Sequence, residues 1–236
     1  MRDCYVGDIG DFAKYGLLRA IGKGKRLGVA WYLCGDPEVN NTGDGRHTAY
    51  LQRPDEWRHL DPGLFDTLKN LVDEKRRSVA EIEQSGILGG ADFASEPVDV
   101  SQVSVRERES WRRAWFERVQ NALSACDLVF ADPDNGMYPT EKFTPTRKEN
   151  AKRISLHEAL ALADGRTAII YHHNSRMRGG HNLEIQNWMS QMPGRTFAWY
   201  WKCQSNRTFF ILNPDSEIEH LVEEFAQRWS ACGELL

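Results

Sequence analysis

The stretch that decides the fold is DLVFADPDNG, residues 127–136, in which an apolar run passes directly into a polar turn. The run Asp127–Ala131 has the length of a strand and its apolar character is continuous, which is typical of a strand buried on both faces. Two similar runs, Leu27–Leu33 and Thr167–Tyr171, precede and follow it in the chain. Because helical patterns separate the three runs, we predict that they are neighbouring parallel strands of one α/β sheet.

Hydrophobic spacing places the remaining elements. Helices are predicted near residues 9–21, 55–85, 104–125, 155–163, 183–191 and 215–230. Two strands near 195–202 and 207–212 form a C-terminal antiparallel hairpin, and residues 47–52 are a candidate short strand. The prediction is therefore a single α/β domain over residues 1–236, with a helical insertion over about 55–95.

Composition limits the class of protein. The chain has 236 residues, of which 41% are hydrophobic, and its formal net charge is −4. Its apolar runs are too short to span a bilayer, and its first residues lack the apolar stretch of a secretory signal. The five cysteines are widely spread and form no CxxC pair, which disfavours a disulfide framework or a zinc knuckle. We expect a reduced, cytoplasmic protein with no membrane partner.

Charge is unevenly distributed along the chain. Residues 142–207 contain eleven Lys and Arg against four Asp and Glu, so the rest of the chain is strongly acidic. A basic segment within an acidic protein indicates an anionic partner such as RNA or DNA. Ordinary variation in surface charge explains the same pattern equally well.

The loop after residues 127–131 contains the sharpest candidate site. Ligands of α/β sheets bind at the carboxyl ends of the strands, where Asp132, Pro133, Asp134 and Asn135 stand. Asp132 can accept hydrogen bonds from an exocyclic amine, and the Pro133 carbonyl is expected to do the same because no local geometry competes for it. The carboxylates could equally hold a metal ion, and a plain turn ending at Asn135-Gly136 is the structural alternative.

A second candidate site follows residues 167–171. Adjacent side chains of a strand point to opposite sides, so only one of His172 and His173 can face a given ligand. Arg176 and Arg178 precede a Gly-Gly pair, which suits a mobile anion-binding loop. A polar surface loop with one buried histidine is the alternative.

Three stretches, taken in order along the chain, carry a resemblance to a known family. They are Gly7-Asp8 with Asp11, Lys14 and Leu17-Leu18; Tyr32-Leu33 followed by Gly43-Asp44-Gly45-Arg46; and Val129-Phe130-Ala131-Asp132-Pro133. They resemble the opening helix, the glycine loop and the Asp-Pro-Pro-Tyr strand of ribosomal RNA adenine-N6 methyltransferases with an early helical insertion. These belong to the class I S-adenosylmethionine-dependent methyltransferases, whose parallel strands also end in an antiparallel hairpin.

The resemblance implies a Rossmann-like methyltransferase sheet, S-adenosylmethionine as cofactor, and a nucleic-acid amine as substrate. It implies catalytic roles for Asp132, Pro133, Asp134 and Asn135. Cofactor binding is implied for Gly35, Gly43 and Gly45, and substrate binding for Lys14, Arg46, His172, Arg176 and Arg178.

The sequence departs from the family at three positions. Asp134 and Asn135 replace the second proline and the tyrosine of the motif, and Cys34 stands where an acidic residue is expected. The tyrosine would stack on the target adenine, and Tyr138 is a candidate to replace it.

Two other functions compete with methyl transfer. In a metal-dependent nuclease or hydrolase, Asp132, Asp134 and His172 would ligate Mg²⁺ or Mn²⁺ and activate water. A non-catalytic binding protein that kept the fold is the third hypothesis. Titration with S-adenosylmethionine and then with Mn²⁺ discriminates among the three.

Overall fold

The computed structural model describes residues 1–34 and 45–236. Its strands are β1 (Leu27–Ala30), β2 (Asp92–Ala94), β3 (Leu128–Ala131), β4 (Met137–Tyr138), β5 (Ile154–Ser155), β6 (Thr167–His173), β7 (Thr196–Trp201), β8 (Arg207–Leu212) and β9 (Gly233–Leu235). Its α-helices are α1 (Ile9–Ile21), α2 (Pro54–Trp57), α3 (Pro62–Asp73), α4 (Val79–Gln84), α5 (Arg108–Ala122), α6 (Leu156–Leu162), α7 (Gly180–Met189) and α8 (Ser216–Arg228).

Seven of these strands form the central sheet, in the order β2-β1-β3-β6-β8-β7-β9. Strands β2, β1, β3 and β6 pair in parallel, whereas β8 pairs antiparallel with both β6 and β7. Strand β7 therefore runs parallel to β6, with β8 reversed between them. The predicted parallel pairing of the three apolar runs is confirmed, with Phe130 opposite Val29 on one side and Ile169 on the other. The predicted C-terminal hairpin is confirmed as β7 and β8.

Alternating residues of the strands face two helical layers. On one face, Phe130 and Ile169 pack in a core that includes Phe12 of α1 and Phe225 of α8. Helices α3 and α4 of the insertion pack on this same face. On the other face, Val129 belongs to a core that α5, α6 and α7 cover. The chain is thus an α/β protein with a mostly parallel central sheet, as the sequence predicts.

The helix ends follow from short-range chemistry. Asp8 caps α1 by accepting a hydrogen bond from the Gly10 amide at 2.8 Å, as its position in the sequence predicts. Ser155 and Glu158 form a reciprocal capping box at the start of α6. These caps fix where α1 and α6 begin, and α1 carries Asp11 and Lys14.

Three local predictions are wrong. Residues 47–52 are not a strand, because Ala49–Gln52 forms a 3-10 helix in which the consecutive residues Tyr50 and Leu51 are both buried. Strand β2 lies inside the range predicted as helical insertion, and three residues are too short a run to show strand periodicity. The first predicted strand ends at Ala30, since Tyr32 takes a left-handed conformation with φ of 49°.

Within the described parts of the chain, no helix is long and apolar enough to cross a membrane. The cytoplasmic location stays a prediction.

Candidate functional site

A cleft of about 610 Å³ opens where β3 and β6 end and β8 begins, at the carboxyl edge of the parallel strands. Helix α1 contributes the opposite wall. We call Asp11, Lys14 and Asp132 the floor of the cleft, since all three are at most 3% exposed. We call Arg2, Asp134, Lys152, His173 and Arg207 its rim. The sequence predicts a site at the carboxyl ends of the parallel strands, and the cleft lies at that edge of the sheet.

The floor is a buried cluster of three charges. The Lys14 Nζ donates to Asp11 Oδ1 at 2.7 Å and to Asp132 Oδ2 at 2.8 Å. Lys14 and Asp11 lie one turn apart on α1, whereas Asp132 comes from the end of β3. The Tyr15 hydroxyl lies 3.4 Å from the second oxygen of Asp11. One ammonium therefore joins the helix to the strand end, and two carboxylates share it.

Burial and charge act in opposite senses on these groups. Burial raises the pKa of Asp11 to about 6, although the neighbouring Lys14 charge opposes that rise. Burial alone would lower the pKa of Lys14, but the charges of Asp11 and Asp132 and the hydrogen bonds to them raise it. Lys14 therefore stays protonated, and the floor carries one more negative charge than positive when both carboxyls are ionised.

The sequence predicts that Lys14 meets nucleic-acid phosphates, but in the structure its ammonium already donates to two carboxylates. Its ammonium is buried and occupied by two carboxylates. The reason is the apolar environment of α1, where a charged side chain must find a partner inside the protein.

The first residue of the chain packs against the same cluster. The backbone nitrogen of Met1 donates to the carbonyls of Trp31, Tyr32 and Asp132 at 3.0–3.1 Å. The Met1 sulfur lies 3.6 Å from Lys14 Nζ. These contacts satisfy carbonyl groups that follow β1 and β3 and have no strand partner there.

The turn after β3 differs from its prediction at Pro133. The Pro133 carbonyl accepts a hydrogen bond from the Gly136 amide at 3.1 Å, so a local turn does compete for it. Gly136 has φ of 72°, and a Cβ there would lie 2.7 Å from His172 Nδ1. Pro133 is not among the residues that line the cleft, whereas the carboxylate of Asp132 is.

Asp134 and Asn135 also line the cleft. Asp134 Oδ2 lies 3.4 Å from Arg2 Nε and 3.8 Å from Lys152 Nζ. Tyr138 is not among the lining residues, and the Arg153 guanidinium lies over its ring at 4.2 Å. The aromatic rings that do line the cleft are Tyr5 and Tyr171.

The two adjacent histidines separate as strand geometry requires, and His173 is the one in the cleft. His172 is buried on the opposite face, beneath α7. Its Nδ1 accepts from the Met137 amide at 3.1 Å, so Nε2 carries the proton and faces Glu184 at 3.2 Å. His172 therefore does not reach the cleft in which its substrate role was predicted. The cause is that successive side chains of β6 point to opposite faces of the sheet.

Glu184 organises the base of the loop that follows β6. Its two carboxylate oxygens share the N–H of the Ser175 amide, at 2.9 and 3.0 Å, besides its contact with His172. Burial alone would raise the pKa of Glu184, but these hydrogen bonds lower it to about 2. Glu184 is therefore an ionised anchor for the loop.

The remaining predicted residues divide by location. Arg176 and Arg178 are exposed in that loop, and Arg46 is exposed beside the cleft, but none of the three lines it. Gly45 lines the cleft with φ of 68°, and a Cβ there would overlap the Cys4 carbonyl at 1.8 Å. Gly35 and Gly43, the other predicted cofactor residues, lie outside the described residues.

The described residues include no group of three or more His, Cys, Asp and Glu side chains that could hold a metal ion. Asp132 and His172 face different sides of the sheet, so they cannot share an ion. Between Asp11 and Asp132, the Lys14 ammonium supplies the positive charge that a cation would bring.

Sequence reasoning did not single out the rim residues Arg2, Lys152 and Arg207. Each comes from a separate part of the chain, and only the folded sheet brings them together. The signal in the sequence is weak, because single basic residues at the ends of strands are common on surfaces.

None of the known protein-family models matches this sequence, and no curated protein gives a significant match.

Proposed function

We propose that the protein is a class I S-adenosylmethionine-dependent methyltransferase that methylates an exocyclic amine of a nucleic acid. The observation that carries the proposal is the carboxylate of Asp132, which follows β3 and faces a cleft at the carboxyl edge of the sheet. The reversal of β8 between β6 and β7 supports the same class, because a hairpin after parallel strands is typical of that fold.

The charges of the cleft fit the methyl donor. Its lining combines the carboxylates of Asp8, Asp11, Asp132 and Asp134 with the cations of Arg2, Lys14, Lys152 and Arg207. S-adenosylmethionine carries a sulfonium, an ammonium and a carboxylate, so a site of mixed charge suits it. The excess negative charge of the floor favours the sulfonium, and a cleft of about 610 Å³ is in the range of small-molecule sites. Asp11 and Gly45 are the candidates to hold it.

The methyl donor supplies an electrophilic methyl group when bound, and the protein supplies position. Asp132 accepts a hydrogen bond from the substrate amine and so directs the nitrogen lone pair towards the methyl group. Lys14 fixes one oxygen of Asp132 at 2.8 Å, which keeps the acceptor in a single orientation. Since that contact connects α1 to β3, the helix and the strand end move as one unit around the amine.

No specific observation favours the metal-dependent alternative, because the floor already contains its own cation. A non-catalytic binding protein is one possible outcome of the test below.

The test is a titration of the pure full-length chain with S-adenosylmethionine, followed by thermal denaturation and calorimetry. A donor present at about one hundred times its dissociation constant should stabilise the fold by about 2.7 kcal/mol. Asp11→Asn is the informative variant, because it removes the excess negative charge and should weaken the response to the donor. The absence of any response at millimolar donor, or a response to Mn²⁺ alone, would contradict the proposal. Binding without methyl transfer to RNA or DNA would leave the binding-protein hypothesis.

A further inference from the structure

The cations that line the cleft differ in how firmly their carboxylate neighbours hold them. Lys14 makes two hydrogen bonds shorter than 3 Å with the floor carboxylates. Arg207 Nη1 lies 3.9 Å from Asp8 Oδ1, and Lys152 Nζ lies 3.8 Å from Asp134 Oδ2. Both of these distances exceed a hydrogen bond. Arg207 also donates to the Ser205 carbonyl at 3.4 Å and to the Ser205 hydroxyl, which are neutral acceptors. The charges of Arg207 and Lys152 are therefore compensated less closely than that of Lys14, and this leaves them for an anion entering the cleft.

A glycine determines where the Arg207 guanidinium lies. A Cβ on Gly10 would stand 1.2 Å from Arg207 Nη1, so the guanidinium rests directly on the backbone of the first turn of α1. The amides of that turn are already used: Ile9 donates to the His47 carbonyl at 3.0 Å and Gly10 to Asp8 at 2.8 Å. The Arg207 side chain, rather than the helix terminus, is thus the anion-binding group.

The two cations stand on opposite sides of β6. Arg207 is the first residue of β8. The Lys152 ammonium lies beside Asp134, which belongs to the turn that follows β3. Two strand spacings separate β3 from β8, roughly 10 Å. Tyr171 of β6 lines the cleft between them. The Tyr171 ring itself is buried against Phe209. A cation on each side of β6 suits a nucleotide with a phosphate on each side.

We propose that Arg207 and Lys152 bind the two phosphates that flank the target nucleotide, so that the substrate is a nucleotide within a polynucleotide chain. The assignment of a target amine rests on the function proposed above, but the phosphate contacts do not. A guanidinium matches the geometry of phosphate oxygens, and a lysine provides a second point charge. A free nucleoside would occupy neither contact.

The neighbouring histidine does not share this role. Burial and the charge of Arg207 lower the pKa of His173, so its ring is neutral near pH 7. A site that depended on His173 would bind anions better as pH falls, whereas the contacts proposed for Arg207 and Lys152 do not depend on that ring. The affinity for a phosphodiester should therefore not follow the protonation of His173.

The test measures binding of a short fluorescent single-stranded oligonucleotide to the full chain between about 50 and 200 mM salt. Arg207→Gln and Lys152→Gln should each weaken binding and reduce the slope of log affinity against log salt by roughly 0.7, and the double variant by roughly twice that. Arg207→Lys should keep the slope. Arg195→Gln is the matched control, because Arg195 pairs with Glu219 outside the cleft, and it should behave as the wild type.

Each of the following results overturns the proposal: no binding of the oligonucleotide by the wild type, unchanged slopes in the double variant, equal losses in Arg195→Gln, and equal affinity for a nucleoside without phosphates. An acidic peptide that competes as well as the oligonucleotide would also overturn it. Circular dichroism and the melting temperature show whether each variant is folded, and Gly10→Ala displaces Arg207 without removing its charge. The salt slope could fall in the Arg207 and Lys152 variants while the wild type gives no response to S-adenosylmethionine. That result would support the phosphate site and refute the methyltransferase proposal.

Discussion

Two buried clusters of charge lie on opposite faces of the sheet and differ in balance. In the first, Arg112 makes a two-pronged ion pair with Glu158, at 2.8 and 2.9 Å, between α5 and α6. Arg112 also donates to the Arg153 carbonyl at 2.8 Å, and Glu158 accepts from the Ser155 amide at 3.0 Å. One positive charge meets one negative charge, and the remaining polar groups are used within the protein.

The floor of the cleft has the opposite character. Asp11 and Asp132 share the single ammonium of Lys14, and all three residues line a cavity. A balanced pair whose remaining polar groups are bonded within the protein has little left to offer a ligand, so we interpret Arg112 and Glu158 as structural. An unbalanced cluster that lines a cleft can still take up a proton or a cationic group, which is a property of functional sites.

The largest effect is expected from Lys14→Met. This change leaves two buried carboxylates facing each other without a cation, and breaking a buried charge cluster in this way costs about 3–5 kcal/mol. Urea denaturation near pH 7 measures the loss. The double variant Lys14→Met with Asp11→Asn should recover part of it, since it removes one of the stranded charges. A loss below about 1 kcal/mol in the single variant would show that Lys14 does not hold the floor together.

Arg112→Met should reduce the free energy of unfolding by about 3 kcal/mol, because it leaves Glu158 buried without its cation. Its response to S-adenosylmethionine and to the oligonucleotide should nevertheless equal that of the wild type, once measured on folded protein. This result would show that the pair of Arg112 and Glu158 contributes to stability and not to ligand binding in the cleft. A loss of ligand response in Arg112→Met, at a temperature where the variant is folded, would remove the distinction between the two clusters.

The free energy of unfolding should depend on pH in a way that reflects the excess negative charge of the floor. The pKa of Asp11 rises from 3.8 to about 6 on folding, so the folded state binds more protons across that interval. Its contribution is therefore fully present below about pH 4 and is lost as pH rises through 6. Relative to Asp11→Asn, the wild type should lose up to roughly 3 kcal/mol across this window. Parallel stability curves for the two proteins would contradict the raised pKa.

Gly10→Ala should have the smallest effect on stability. The substitution gains up to about 1 kcal/mol of helix propensity, which the displacement of Arg207 offsets. Oligonucleotide binding should nevertheless weaken, since the added methyl group displaces the Arg207 guanidinium from the backbone of α1. Wild-type affinity in Gly10→Ala would show that the position of Arg207 is unimportant.

Elements set by local pattern were predictable from the sequence. The three apolar runs gave the correct parallel neighbours because strands buried on both faces need continuous apolar residues, and Asp8 identified the start of α1. Strand β2 escaped prediction because it has only three residues, which pair with β1 at the edge of the described sheet.

The candidate site was predictable only where sequence position alone decides location. Asp132 follows a strand and so had to reach the carboxyl edge, but the partner of its carboxylate could not be predicted, since Lys14 lies 118 residues away. To choose between His172 and His173, one must know which face of the sheet each side chain of β6 points to, and no local signal reveals this. The Pro133 carbonyl was expected to have no local competition, whereas the Gly136 amide already donates to it, and the sequence did not reveal that contact.

The most direct test of the proposed function is the transfer of labelled methyl groups from S-adenosylmethionine to unmodified RNA and DNA by an Asp132 series. The wild type should label an exocyclic amine, and Asp132→Asn should retain part of the activity because it keeps an acceptor. Asp132→Ala should lose about 2–4 kcal/mol of transition-state stabilisation, since the amine then has no partner. No labelling by the wild type, or wild-type rates in Asp132→Ala, would contradict the account. Equal and complete loss in Asp132→Asn and Asp134→Asn would point instead to a metal-dependent reaction.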